Sequence, residues 1–293
     1  MGRMFHRKKQ ERVTPAPPDR EHRRTPSGWH QEDWESYDHV ADAYARVSAR
    51  RSAPAAADLV SIAGVEAGHR VLDVGTGTGV AAGEALGAGA TVVGIDPAPK
   101  MLAHARAAHP EAAYVIGEAL DLPFRPWSFD RVIGNFVVLH FTRYETALFD
   151  MARVLREGGV MALSSWAAGE DAFGAVWRAT AESLIGKELF RDAARRGAPW
   201  REHFSDPARF EQTLKDAGLK RIRTEQRSYR FDLTIESYLE GMETRSAARA
   251  LHRVMGDAIW ERFRAQVREE FGRRFRDPIG DTRDVWFGVG MKP

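Results

Sequence analysis

Apolar positions along this chain fall into short unbroken runs that alternate with longer stretches where they recur every three or four residues. The runs at 70–74, 91–95, 113–116, 129–135 and 159–166 are too short for buried helices and lack polar alternation, which predicts strands covered on both faces. Helical spacing fills 79–88, 98–109 and 143–156 between them. Strand and helix in strict alternation predict an α/β fold with a parallel sheet, and right-handed crossovers gather the strand carboxyl ends on one edge. Ahead of this core, Trp29 to Arg51 reads as an amphipathic helix with Trp34, Tyr37, Val40, Ala41, Tyr44 and Val47 on one stripe. Two later segments, 220–229 and 284–291, supply a sixth and a seventh strand.

The first strand runs straight into glycine: Val71-Leu72-Asp73-Val74-Gly75-Thr76-Gly77-Thr78-Gly79. Strand-then-glycine brings backbone close to a bound nucleotide. The second apolar run ends in Asp96-Pro97, where a carboxylate can accept both hydroxyls of a ribose. Gly77, Gly79 and Ala82 also satisfy the dinucleotide spacing G-x-G-x-x-A, so the fingerprint by itself leaves a dehydrogenase open. Asp73 tips the choice: it lies inside the strand, where it reaches a ligand amino group, and a dinucleotide site has no use for a desolvated charge there.

With Gly117-Glu118-Ala119-Leu120-Asp121-Leu122-Pro123-Phe124 and Leu155-Arg156-Glu157-Gly158-Gly159 added, the chain resembles the class I S-adenosylmethionine-dependent methyltransferases. Within them it is similar to the small-molecule group of ubiquinone and menaquinone biosynthesis, over about residues 37–166. The resemblance implies a Rossmann-like, doubly wound, seven-stranded and mostly parallel sheet whose last strand is antiparallel. It implies Gly75, Gly77 and Gly79 against the methionine part of the cofactor, Asp96 on the ribose and Met101 under the adenine. It also implies Glu118 and Ala119 beside the adenine amino group, and Asn135 near the methionine. Two positions depart from the family pattern: Glu118 stands where Asp is usual, and Arg156-Glu157-Gly158-Gly159 replaces Lys-Pro-Gly-Gly.

Composition narrows the field further. A chain of 293 residues with 43% hydrophobic content builds one large core plus an appended cap. This gives a basic disordered tail over 1–28, a lid helix over 29–51, a cofactor-binding core over 52–166, and substrate-cap segments interleaved with the last strands over 167–293. No apolar run reaches the length of a membrane span, and no signal-like segment follows the basic start, so the cytoplasm is the expected location. Zero cysteines remove disulfides, thiolate metal sites and Cys nucleophiles together. A net charge of +2 does not argue for nucleic acid. The tail concentrates Arg3, His6, Arg7, Lys8, Lys9, Arg12, Arg20, His22, Arg23 and Arg24, which leaves an RNA-binding or oligomer arm as the alternative of another class.

The chemistry expected is in-line displacement at a sulfonium methyl, where holding the reactants in line does most of the work. Segments 167–218 and 232–278 are not needed by the core and would hold a small-molecule substrate. Trp166, Trp177, Trp200, Phe204 and Phe210 are their candidate substrate contacts, although most cap aromatics belong to a cap core. Tyr37 is the first site candidate from the lid helix and Tyr44 the second, each open to plain packing instead. The reaction expected first, with O-methylation as its alternative, is carbon methylation of an isoprenoid in secondary metabolism, which needs a base for the resulting carbocation, and Glu170 in Trp166-Ala167-Ala168-Gly169-Glu170-Asp171 supplies one. O-methylation of a phenol or quinol would use His140, which is otherwise a cap of the next helix. A prenyl diphosphate would call on Arg178, Arg191, Arg195, Arg196, Arg201 and His203 with Mg²⁺ as helper. No metal-ligand spacing stands out, so no resident metal is expected.

Overall fold

The computed structural model describes residues 31–293, with side chains from Tyr37 onward; the basic tail and the side chains of Trp29 and Trp34 lie outside the described residues. Seven strands form a single sheet: β1 (Arg70–Val74), β2 (Thr91–Asp96), β3 (Ala113–Ile116), β4 (Phe129–Gly134), β5 (Leu155–Trp166), β6 (Lys220–Leu233) and β7 (Ile279–Met291). Their order is β3-β2-β1-β4-β5-β7-β6. The first five pair in parallel, and β7 runs antiparallel to both β5 and β6. The strand order turns back at β1, between β2 and β4, which is where an open α/β sheet leaves a crevice for a ligand.

Successive strand residues feed opposite faces. On one face Leu72 and Val74 join Phe129, Leu148, Met151, Phe204, Phe210 and Leu214. On the other, Val71 joins Leu59, Val60, Ala82, Ala85, Ile133 and Phe287. The first cluster lies under α5 (Tyr144–Val154), α8 (Arg201–Phe204) and α9 (Pro207–Asp216), the second under α2 (Ala49–Ile62) and α3 (Val80–Gly87). Between β2 and β3 runs α4 (Pro99–Ala108).

The lid helix expected to stop at Arg51 does not stop there. Helix α1 (Gln31–Ala43) passes through a π-helical turn at Tyr44–Ser48 directly into α2, which continues to Ile62 with Pro54 inside it. An internal proline costs a helix about 3 kcal/mol, but Ala55, Ala56, Leu59 and Val60 are all almost fully buried, and that burial carries the helix past it. The π-turn matters locally, since an inserted residue rotates the side chains that follow.

The remaining helices are α6 (Ala172–Ile185), α7 (Lys187–Gly197), α10 (Ile235–Glu243) and α11 (Ser246–Arg274), the last broken at Gly256 by a non-helical backbone. They share a third apolar cluster containing Trp177, Ala193, Tyr238, Leu251, Trp260, Phe263 and Phe271. Segment 167–218 therefore divides: α6 and α7 build the cap, whereas α8 and α9 return to the sheet. No helix among the described residues is long and apolar enough to cross a membrane.

Candidate active site

The loop after β1 is built on glycines with left-handed backbone: Gly75, Gly77 and Gly79 have φ of 67°, 55° and 85°. At Gly75 a Cβ would meet Val137 Cγ2 at 2.2 Å, so both conformation and space demand glycine. The Gly75 and Thr76 amides donate to the Ile95 carbonyl at 2.8 and 3.1 Å. These bonds bend the loop over the end of β2 and bring Asp96 to it. Asp96 Oδ2 accepts from the Gly77 amide and Oδ1 from the Ala98 amide, both at 2.9 Å. Each oxygen keeps a second acceptor position.

Asp73 is 1% exposed. One carboxylate oxygen accepts from the Thr76 hydroxyl at 2.7 Å, and the other is buried without a hydrogen-bond partner. Burial pushes the Asp73 carboxyl up to about 7 and the Asp96 carboxyl up to about 6. Two desolvated carboxylates with spare acceptor sites ask for cationic or hydroxylic partners. The pocket that Asp73 lines is completed by Tyr44, Ser52, Gly75, Gly77, Val80 and Asn135, and Asp96 adjoins it through the Gly77 amide. An amino acid's ammonium on Asp73 and a ribose on Asp96 fit this donor set, so the residues present suit S-adenosylmethionine.

Around that pocket the structure sorts the expected residues. Asn135 Oδ1 accepts from the Ser164 hydroxyl at 2.7 Å, and its amide donates to the Ser52 carbonyl at 3.4 Å. Ser164 also accepts from the Phe136 amide at 2.9 Å. Sequence reading singled out neither serine, because nothing local marks a strand serine as part of a site. Phe136 adopts φ of 58°, uncommon for a bulky side chain, and stacks on Trp166 with centroids 4.1 Å apart. Pro97 follows Asp96 in the turn that enters α4. Met101, with Ala41 and Ala98, forms a small buried cluster against Tyr37 and Tyr44. The lid thus packs on the side assigned to adenine. Glu118 is exposed and Ala119 half-buried.

Tyr37 and His140 come together. The Tyr37 hydroxyl lies 3.4 Å from His140 Nε2, and the Ser246 hydroxyl lies 3.4 Å from Nδ1. Burial, then the Arg249 charge, push the imidazole down to about 4, against the opposing effect of the Gly197 backbone. Arg249 itself lies 3.8 Å from the centre of the Tyr37 ring. Tyr44 stands edge-on to Tyr37 at 6.2 Å, so one aromatic path links the glycine-loop pocket to a neutral His140.

Several expected substrate contacts belong elsewhere. Phe204 and Phe210 are fully buried in the main core, and Trp177 packs against Phe263 at 4.7 Å in the cap core; packing holds them away from any ligand. Trp200 donates its indole N–H to the Phe141 carbonyl at 2.7 Å, which ties α8 to the residue after His140. Glu170 is paired with Arg178, whose Nε and terminal nitrogen reach its two oxygens at 2.9 and 2.8 Å, and the pair is exposed. Arg191, Arg195 and Arg196 sit exposed on α7. No cluster of three or more His, Asp or Glu suited to a metal ion occurs among the described residues.

Comparison with known proteins agrees with this geometry. The family described as "Methyltransferase domain" matches residues 72–163, which contain the glycine loop, Asp96, Met101, Asn135 and His140. An uncharacterized protein of Mycobacterium tuberculosis is 33% identical over 148 residues, 49% of this chain and 52% of that protein. An uncharacterized methyltransferase of Synechocystis is 39% identical over 101 residues, 34% of this chain and 48% of that protein. The chain thus spans about half the length of the curated relatives it matches. Among solved structures, the YcgJ protein of Bacillus subtilis aligns with a TM-score of 0.53 at 19% identity, covering 81% of this chain and 97% of that one. Haemonchus contortus phosphoethanolamine N-methyltransferase 2, bound to phosphomonomethylethanolamine and S-adenosylhomocysteine, aligns with a TM-score of 0.53 at 18% identity, covering 87% and 57% of the two chains. Fold, glycine loop and paired acids define a Rossmann-like nucleoside-binding protein. More particularly, residues 72–163 match the family of methyltransferase domains.

Proposed function

We propose that the protein methylates a small molecule bound between Tyr37, His140 and the Trp166–Phe136 stack, and that the atom methylated is an oxygen. When bound, S-adenosylmethionine supplies an electrophilic sulfonium methyl. The chain's own residues do the rest. Asp73 holds the amino group, Asp96 holds the ribose hydroxyls, and the glycine loop admits the methionine part. The lid tyrosines exclude water and present aromatic faces to positive charge.

The observation that carries the oxygen reading is the placement of His140 between the Tyr37 and Ser246 hydroxyls. An acceptor hydroxyl must lose its proton as the new bond forms, and an unprotonated imidazole next to Tyr37 and Ser246 is there to take it. Carbon methylation of an isoprenoid has weaker support, because its base, Glu170, is already paired with Arg178.

Label from S-adenosylmethionine, offered phenols, quinols and isoprenoids, tests this directly. Label should appear on a hydroxyl acceptor, and His140→Ala should lower turnover by about 10²- to 10⁴-fold while S-adenosylhomocysteine still binds. Label on an isoprenoid carbon that survives His140→Ala would overturn the assignment.

A further inference from the structure

The sheet ends on two edges of different make. β3 contributes four residues, Ala113–Ile116, whereas β6 contributes fourteen, Lys220–Leu233. A long edge is a row of open amides and carbonyls that another chain can pair with, and proteins blunt such edges with short strands, bulges or charged side chains. The β3 edge is blunted by its length. The β6 edge has a bulge only at its start, where the register against β7 slips between Lys220 and Arg223 and Arg221 takes a φ of 49°. From Arg223 to Leu233 the ladder to β7 is unbroken. Among the described residues, no amide or carbonyl of 223–232 bonds to anything outside that ladder.

Side chains along this stretch alternate as a half-covered strand requires. Gln226, Ser228, Arg230 and Asp232 are exposed. Glu225, Arg227 and Tyr229 lie on the other face, against α2: Arg227 and the Tyr229 hydroxyl both meet Asp58, and Arg227 Nε reaches Glu225 at 2.7 Å. The charges are of both signs, with Arg223, Arg227 and Arg230 against Glu225 and Asp232. An edge of single sign would repel a copy of itself; this one does not.

A twofold axis normal to the sheet pairs two copies of an edge antiparallel and keeps the covered face of each on the same side. What remains to be chosen is the residue on the axis. Axes at Glu225, Arg227 or Arg230 set a charge against itself, and axes at Ser228 or Tyr229 set Glu225 against Phe231 or Leu233. An axis at Gln226 instead sets Glu225 opposite Arg227, Arg223 opposite Tyr229, Thr224 opposite Ser228 and Gln226 opposite itself. Every cross-strand pair is then of opposite charge, cation on aromatic, or polar on polar.

We propose that the protein forms a twofold dimer through β6, with residues 223–229 of two subunits paired antiparallel about Gln226. The seven-stranded sheet thereby continues into the partner subunit. Because the axis reverses strand direction, the two cofactor crevices open at opposite edges of the joined sheet, clear of the interface. Nothing in this pairing depends on the methyl acceptor or on its base.

Sedimentation equilibrium of the full chain tests it. The parent should be dimeric at about 50 μM. Gln226→Lys and Gln226→Glu each place like charges directly opposite one another on the axis, so each should weaken the dimer by about tenfold or more. Their S-adenosylhomocysteine affinity should stay at the parent's value, which shows that the subunit remains folded. An equimolar mixture of the two variants should restore the dimer, because lysine then meets glutamate. The chain has no cysteine, so a single introduced one reports position. Gln226→Cys should give a disulfide-linked dimer on oxidation, since directly opposite residues lie about 4.5–5.5 Å apart at Cα, within disulfide reach. Ser228→Cys should not, because its two copies would lie about 14 Å apart along the strands. A monomeric parent would overturn the dimer. A dimer that ignores both charges, that mixing does not rescue, or that cross-links through Ser228→Cys in preference to Gln226→Cys would overturn this interface. Failure of the parent to bind S-adenosylhomocysteine would sink the methyltransferase reading and leave the dimer standing.

Discussion

The two walls of the active-site cleft are made in opposite ways. The cofactor wall is backbone: loop amides donate to Ile95, and Asp96 is fixed by the Gly77 and Ala98 amides. Its parts come from neighbouring stretches of chain. The proposed acceptor wall is side chain: Tyr37, His140 and Ser246 arrive from three separate elements, and its Tyr37–His140 contact joins positions 103 residues apart. A wall made of backbone tolerates few changes and can serve one invariant ligand; a wall made of side chains can be re-cut for a new acceptor without disturbing the sheet.

The sharpest way to break this contrast is at Gly75. Gly75→Ala puts a methyl group 2.2 Å from Val137 Cγ2 on a backbone with φ of 67°. Strain and overpacking of a few kcal/mol translate into a loss of S-adenosylhomocysteine affinity on the order of a hundredfold.

The same contrast explains what could be read from sequence. Strands β1 to β5, the glycine loop, Asp73 and Asp96 were legible because each depends on periodicity or on a partner within one βαβ unit. The lid was legible as a helix but not in extent: Pro54 reads as a stop, and only the burial of Leu59 and Val60 against the sheet overrides it. The acceptor wall was legible as residue types alone. His140 could be named from the chain, but its contacts with Tyr37 and Ser246, 103 and 106 positions away, could not. Phe204, Phe210 and Trp177 show the converse, aromatics whose spacing is equally compatible with a pocket and with a core, and which the structure puts in cores.

A smaller effect should come from pH. Burial raises Asp73 to about 7 and Asp96 to about 6, so the unliganded fold holds protons more tightly than the unfolded chain does. The unliganded protein therefore loses stability as pH rises from about 4 toward 7. A ligand ammonium on Asp73 reverses the sign, because it favours the ionised carboxylate. S-adenosylhomocysteine affinity should weaken about tenfold between pH 8 and pH 6, and its stabilisation of the melting temperature should shrink in parallel. Asp73→Asn should bind poorly and without that pH dependence. A steep dependence persisting in Asp73→Asn would move the titrating group to Asp96.

The smallest effect belongs to Glu170, and its smallness is the informative part. The Glu170–Arg178 pair is 41% exposed on each side, and an ion pair so open to water contributes about 0–1 kcal/mol. Glu170→Gln keeps the shape and one acceptor oxygen for Arg178, so stability should fall by less than about 1 kcal/mol and methyl transfer should change by less than about twofold. The comparison of walls requires this outcome, since Glu170 belongs to the rim of the cap and touches neither cofactor acid nor His140. If turnover instead collapsed while S-adenosylhomocysteine binding held, Glu170 would have to leave Arg178 during the reaction and act on the acceptor. The base would then lie in the cap, the acceptor atom would be carbon, and His140 would be left with the structural task of tying Tyr37 to Ser246.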